Sequence, residues 1–182
     1  MKTLIVVDMQ NDFIDGALGT PEAQKIVPNV KKKIEEYLAH DNAIIFTQDT
    51  HLDNYLDTPE GKMLPVKHCI KHTNGWNIHQ ELMDDHIKEK CSIIEKPTFG
   101  SISLMWGIEE YEDDLEKPEN LELEFVGLCT DICVISNVLM AKAHYPNAKI
   151  TVDASCCAGV TPEKHRAALE VMKSCQINVV GE

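Results

Sequence analysis

Short runs of Val and Ile that lack polar alternation recur along the whole chain, with helix-periodic segments between them. The strand-like runs fall at residues 3–7, 43–47, 92–95, 121–127, 149–153 and 177–180. A strand that is apolar on both faces must be covered on both faces, and a parallel sheet between helical layers meets that condition. The helical segments fall at 27–40, 78–87, 101–115, 131–144 and 162–174. Thr161 and Pro162 give the last of these an N-cap and a proline at the first helical position. The alternation predicts an α/β fold with three layers, α/β/α, around a mostly parallel six-stranded sheet joined by right-handed crossovers. No repeat, low-complexity tract or interdomain linker interrupts it, so residues 1–182 are expected to form one domain.

Charge and cysteine content exclude several function classes. The formal charge is −13, which argues against nucleic acid and anionic membranes as partners. No apolar run approaches the length of a membrane span, and the apolar start of the chain is too short for a signal peptide and lacks a cleavage site. Seven cysteines is an odd number, and none falls in a tight disulfide framework, so reduced thiols in a cytoplasm are the expectation.

In an open parallel sheet, ligands bind beyond the carboxyl ends of the strands. Asp8 ends the first strand, Asp49 and His51 follow the second, Lys96 follows the third and Cys133 follows the fourth. Each has a plain alternative: a strand-end Asp as a cap, an Asp-x-His pair as polar loop, a Cys as a small apolar residue packing a helix start. Together they are harder to dismiss, because the topology alone makes them converge. The segment from 49 to 75 shows no periodicity, and a loop that long in a compact domain is usually functional or disordered. It carries Asp49, His51, Glu60, His68 and His72, which favours function.

Cys133 stands where the apolar run ending at Gly127 turns into the helix expected from Asp131, with Thr130 or Asp131 as N-cap. Backbone N–H groups and the helix dipole in a first turn favour a thiolate, which suits a nucleophile. Four of the eight histidines, His79, His86, His144 and His165, have polar neighbours on helical patterns and are expected at the surface. The spacings of Cys129 and Cys133 and of Cys156 and Cys157 fit neither a redox pair nor a structural zinc site.

Three segments carry a family resemblance. Asp8-Met9-Gln10-Asn11-Asp12-Phe13, with Gly16-Ala17-Leu18 behind it, resembles the opening motif of the isochorismatase-like cysteine hydrolases. Lys96-Pro97-Thr98-Phe99-Gly100-Ser101 is similar to the lysine segment of that family, and Gly127-Leu128-Cys129-Thr130-Asp131-Ile132-Cys133-Val134 to its nucleophile segment. The match runs in order through nearly the whole chain. It implies a Rossmann-like fold, a catalytic triad of Asp8, Lys96 and Cys133, and a cis peptide at Leu128–Cys129. Asp49-Thr50-His51 and Pro65-Val66-Lys67-His68-Cys69 resemble the metal site of nicotinamidases within the family. Many nicotinamidases place a further histidine shortly after the Asp-x-His pair. Residues 52–57 hold none here, and Glu60 matches the version that uses a glutamate.

The chemistry implied is amide hydrolysis. Asp8 is the candidate base, and Lys96 a cation that favours the Cys133 thiolate and keeps Asp8 ionised. The thiolate would attack an amide carbonyl, with the backbone N–H groups of Cys129 and Cys133 as the candidate oxyanion hole. Asp49, His51, Glu60 and His68 offer mixed nitrogen and oxygen ligands for one divalent ion, Zn²⁺ in the first place and Fe²⁺ or Mn²⁺ as alternatives. Phe13, Leu64 and Phe99 are candidate walls for a flat ring. The expected activity is a metal-dependent nicotinamidase giving nicotinate and ammonia through a thioester. Another small-amide or ureido amidohydrolase of the family is the alternative, and a non-catalytic small-ligand or redox-sensing protein is a third. The expected partner is a small-molecule amide; the sequence leaves a homo-oligomer open.

Overall fold

The computed structural model describes residues 2–111 and 121–182. Its strands are β1 (Lys2–Val7), β2 (Ala43–Asp49), β3 (Ser92–Lys96), β4 (Glu122–Leu128), β5 (Lys149–Ala158) and β6 (Asn178–Val180). Its α-helices are α1 (Asn11–Ile14), α2 (Pro21–Ala39), α3 (Pro59–Met63), α4 (Asp85–Lys90), α5 (Ile102–Tyr111), α6 (Ile135–His144) and α7 (Pro162–Ser174). The six strands form one parallel sheet in the order β3-β2-β1-β4-β5-β6. From β1 the chain winds outward through β2 and β3, then returns to the other side of β1 and winds outward through β4 to β6. The order therefore reverses between β1 and β4, and the crevice for a ligand opens beyond their carboxyl ends.

Alternate residues of the strands feed two cores. Leu4, Val6, Ile44, Phe46, Val126 and Leu128 pack on one face against Ile26, Val30 and Ile34 of α2. Ile5, Val7, Ile45, Leu123 and Phe125 pack on the other against Leu104 and Ile108 of α5, Val138 of α6 and Leu169 of α7. Half-buried charges also tie α2 to the sheet: Lys33 Nζ lies 2.7 Å from Glu124 Oε1 and 2.8 Å from Asp153 Oδ2.

Some helix boundaries differ from the sequence expectation. α2 starts at Pro21, with the Thr20 hydroxyl accepting from the Ala23 N–H, and it runs through Pro28. Pro28 and Gln24 both lie on the exposed side, where water can satisfy the carbonyl that a proline leaves without its helical donor. The helix expected over 78–87 is instead a single 3₁₀ turn, Gln80–Leu82, followed by α4, which opens where the Asp84 carboxylate accepts from the Ile87 N–H. β5 continues to Ala158, five residues past the apolar run. The end of the helix expected to 115 lies outside the described residues. Beside the crevice, Gly127 has φ 118°, and a Cβ there would fall on the Val7 carbonyl oxygen, so only glycine lets β4 run this close to β1 before the Cys133 segment.

Candidate active site

Asp8, Lys96 and Cys133 meet in the crevice between β1 and β4. Asp8 leaves β1 with φ 48°, a left-handed turn that aspartate tolerates better than most residues. Its Oδ1 accepts from the Thr47 hydroxyl at 2.7 Å. Lys96 closes the edge strand β3, yet its long side chain runs inward and is almost wholly buried. Its Nζ lies 2.6 Å from Asp8 Oδ2, 3.6 Å from Cys133 Sγ and 3.6 Å from Asp49 Oδ1, and donates to the Thr98 carbonyl at 3.0 Å.

Burial dominates the electrostatics. It lifts the Asp8 pKa above the ordinary carboxylate value against the pull of Lys96. Burial also disfavours the Lys96 ammonium, but Asp8, Cys133 and Asp49 outweigh it, so Lys96 stays charged well beyond its ordinary range. For Cys133, burial and the Asp8 carboxylate raise the thiol pKa well above its usual value, and Lys96 offsets only part of this. The lysine and the turn favour the anion, but desolvation at a site 6% exposed outweighs them.

The turn that holds Cys133 also differs from the expected cap. Thr130–Val134 is a π turn, with the Ile132 and Val134 N–H groups both donating to the Cys129 carbonyl, at 3.0 and 3.1 Å. Cys129 occupies the cap position, and no side chain caps it. Thr130 instead hydrogen-bonds His165 Nδ1 at 2.7 Å, and Asp131 Oδ1 accepts from the Val160 N–H at 2.9 Å. Both side chains thus fasten the turn to the start of α7. His165, expected at the surface, is half-buried because it is a partner in that fastening, and burial lowers its pKa. The Leu128–Cys129 peptide is cis.

Two buried amides escaped the sequence reading. Asn137 donates to the carbonyls of Cys133 at 2.8 Å and Phe99 at 3.1 Å, and accepts from the Ser101 N–H at 2.9 Å, joining the cysteine turn to the lysine segment. Gln10 donates to the Asp49 and Trp76 carbonyls, both at 2.8 Å, and accepts from the Asp49 N–H at 2.8 Å, fixing the end of β2. Their sequence signal is a polar residue at a position that the apolar pattern assigns to the core: Asn137 lies between the buried Val134 and Val138.

Asp49, His51 and His68 converge beside Lys96. One ligand atom from each lies within 4.8 Å of the others. Asp49 Oδ2 is 3.0 Å from His51 Nε2 and 3.6 Å from His68 Nε2, while Glu60 Oε1 is 3.6 and 3.9 Å from the same two nitrogens. The His68 Nδ1 contact to the Val66 carbonyl, 2.8 Å, favours a proton on Nδ1 and leaves Nε2 as the lone-pair donor. His51 Nε2 is buried and makes no hydrogen bond among the described residues. Burial works against the His51 imidazolium, but Asp49 outweighs it and raises the His51 pKa. Burial likewise opposes the Asp49 carboxylate, but His51 and Lys96 hold its pKa down. Cation binding requires the carboxylate ionised and the imidazoles neutral, and it releases any proton they hold. The donor set therefore fits a divalent ion, with Glu60 at the outer side and more exposed than the other three.

A cavity of about 280 Å³ connects these groups, lined by Asp49, Glu60, His68, Cys129 and Cys133. Phe13, Leu64 and Phe99 all line it, Phe13 buried and the other two at the rim. Leu18, Ile132, Val160 and Lys164, not among the expected wall residues, also line it. A larger open groove, about 810 Å³ beside Trp76 and Ile93, is lined by none of Asp8, Asp49, His51, Glu60, His68, Lys96 and Cys133.

Known proteins share this arrangement of strands and helices. The pyrazinamidase of Pyrococcus horikoshii, solved in complex with zinc, superposes with a TM-score of 0.77 at 29% identity, covering 100% of this chain and 99% of that one. The nicotinamidase/pyrazinamidase of Mycobacterium tuberculosis is 28% identical over 192 residues, 99% of this chain and 98% of its own. A probable inactive nicotinamidase of Arabidopsis thaliana is 30% identical over 190 residues, 94% of this chain and 87% of its own. The isochorismatase domain model matches residues 2–181, and the chain belongs to that family.

Proposed function

We propose that the protein is a metal-dependent nicotinamidase that hydrolyses nicotinamide to nicotinate and ammonia through a thioester on Cys133. One observation carries the reading: Lys96 Nζ stands 3.6 Å from both Cys133 Sγ and Asp49 Oδ1, so nucleophile and candidate metal ligands form one connected site. The similarity to a zinc-bound pyrazinamidase and to a nicotinamidase/pyrazinamidase supports the substrate class. The coarser assignment, a hydrolase acting on amides, follows from the family and these relatives.

The residues divide the reaction as follows. The Cys133 thiol is protonated at rest, so Asp8, whose raised pKa makes it a better proton acceptor, takes the thiol proton as Sγ attacks the carboxamide carbon. The backbone N–H groups of Cys129 and Cys133 hold the oxygen of the tetrahedral intermediate. The C–N bond breaks as Asp8 passes its proton to the departing ammonia. A water molecule then attacks the thioester with Asp8 again as base, releasing nicotinate and restoring the thiol. Lys96 remains charged throughout and keeps Asp8 within reach of both proton positions. Phe13, Leu64 and Phe99 enclose the ring and exclude water. Asp49, His51, His68 and Glu60 would hold a divalent ion, which when bound would supply a Lewis acid able to anchor the pyridine nitrogen; Zn²⁺ is the first candidate and Fe²⁺ or Mn²⁺ the alternatives. A cytoplasmic location fits an enzyme that depends on a reduced thiol.

The test is ammonia release from nicotinamide, pyrazinamide, benzamide and a set of ureido compounds by metal-loaded protein. Nicotinamide turnover above the rest is the expected result. Turnover confined to ureido compounds would move the protein to the broader amidohydrolase reading, and no turnover of any amide would leave a non-catalytic member of the family.

A further inference from the structure

Tyr55 is completely buried behind the candidate metal ligands. Its ring centroid is 4.6 Å from that of His51 and 5.0 Å from that of His68, with interplanar angles of 56° and 76°. The two imidazoles are 4.9 Å apart, so the three rings form a closed triangle in tilted and edge contacts. The Tyr55 hydroxyl donates to the Leu64 carbonyl at 3.1 Å, at the end of the turn that carries Glu60, and it faces the Glu60 carboxylate. The Tyr55 carbonyl accepts from the Thr58 hydroxyl at 2.6 Å, and Thr58 caps α3. A Cβ at Gly61 would fall on that same Tyr55 carbonyl, so α3 sits directly on this residue.

We infer that Tyr55 is a positioning residue of the metal site: its ring sets the orientation of His51 and His68, and its hydroxyl anchors the turn that brings Glu60 to them. The inference rests on the metal site of the proposed function. The plain alternative is a core aromatic that stabilises the loop without bearing on metal affinity. The hydroxyl is the discriminating feature, because core packing alone does not require it to be directed at the Leu64 carbonyl and Glu60.

The experiment measures Zn²⁺ affinity by competition with a chromophoric chelator, with no amide present, on wild type, Tyr55→Phe, Glu60→Gln and the double variant. Tyr55→Phe keeps the ring, so it should fold and lose about tenfold in affinity, close to the loss in Glu60→Gln. In the double variant the two losses should not add, because both act through the same carboxylate. Tyr55→Leu tests the ring: its folded protein should lose well over tenfold. Wild-type affinity in Tyr55→Phe, or additive losses in the double variant, would overturn the hydroxyl's role even if Tyr55→Leu does not fold. Wild-type affinity in folded Tyr55→Leu would overturn the ring's role. A wild-type protein that binds none of Zn²⁺, Fe²⁺ or Mn²⁺ would overturn both this inference and the metal site of the proposed function. Normal binding with indifferent Tyr55 variants would overturn this inference alone.

Discussion

The Lys96 ammonium lies 2.6 Å from Asp8 Oδ2 with both side chains shut off from solvent. Neither charge is tolerable there without the other, since an isolated ion in a protein interior costs several kcal/mol. The pair also reaches the thiol: Lys96 is 3.6 Å from Cys133 Sγ, so whatever changes Asp8 or Lys96 changes the surroundings of that sulfur. A proton moving from Cys133 to Asp8 shifts negative charge from one neighbour of Lys96 towards another, and the ammonium stabilises it at both ends of the transfer.

Asp8→Asn keeps the shape and removes the base. We expect kcat to fall by roughly a hundredfold or more. Lys96→Met should instead leave Asp8 buried without its partner, which lifts the Asp8 pKa further. In wild type, the active carboxylate is lost as pH falls through a value already raised by burial, so the acid limb of kcat/KM should lie above the ordinary aspartate range. In Lys96→Met that limb should move to higher pH. The stability loss, on the order of 3 kcal/mol or more at neutral pH, should shrink as acid neutralises Asp8. A limb that stays in place, measured across pH with nicotinamide, would detach Lys96 from the base.

The sequence made this pair legible because the topology does the convergence: residues at the carboxyl ends of β1 and β3 need only long enough side chains to meet. The same rule located Asp49, His51 and Cys133. What stayed hidden is what holds these residues in place. Asn137 and Gln10 act through backbone groups distant in sequence, and no local period encodes such partners. Tyr55 lies in a segment without periodicity, where three-dimensional packing alone reveals that its ring meets two histidines. The balance between thiol and thiolate at Cys133 stays hidden for a related reason. Nearby charges can be read from motifs, but desolvation depends on how completely the chain closes over the thiol.

Asn137→Ala should show what that scaffolding contributes. It leaves the Ser101 N–H without its acceptor and the Cys133 and Phe99 carbonyls without their donor. Each buried group left without a partner costs about 1–3 kcal/mol, so chemical denaturation should reveal a loss of at least that size. The cysteine turn and the Phe99 wall lose a common tether, so kcat should fall as well. Asn137→Asp keeps the acceptor for Ser101 and should recover part of the stability. Unchanged kcat in a folded Asn137→Ala would make the residue purely structural.

The two cysteines of the cavity should separate cleanly. Cys133→Ala should abolish amide turnover while metal content stays at the wild-type level, since Sγ is outside the Asp49–His51–His68 cluster. Cys129→Ala should keep substantial activity, because only its backbone N–H is asked to act. Burial and Asp131 push the Cys129 thiol pKa up to about 12, so it is a poor nucleophile near neutral pH. Alkylation by a simple haloacetamide should be slow at neutral pH and rise steeply in alkali, as a raised thiol pKa requires. A dead Cys129→Ala beside an active Cys133→Ala would reverse the assignment.

Metal removal tests how the two halves of the site divide the work. Alanine at Asp49, His51 or His68 should cost most of the bound ion, measured by elemental analysis. Glu60→Ala should cost less, because Glu60 Oε1 is 3.6 Å or more from both imidazole nitrogens and its side chain is the most exposed of the four. The ion is assigned to orient the ring and not to generate the nucleophile. Chelation should therefore weaken nicotinamide turnover yet leave the alkylation rate of Cys133 within a few-fold of the loaded protein. Benzamide, with the same outline but no ring nitrogen, should bind the loaded enzyme far more weakly than nicotinamide. Without the ion that preference should vanish, because the apolar walls formed by Phe13, Leu64 and Phe99 cannot tell the two rings apart. A metal-free preparation that hydrolyses nicotinamide at the full rate would refute the division, since Asp8, Lys96 and Cys133 would then suffice alone.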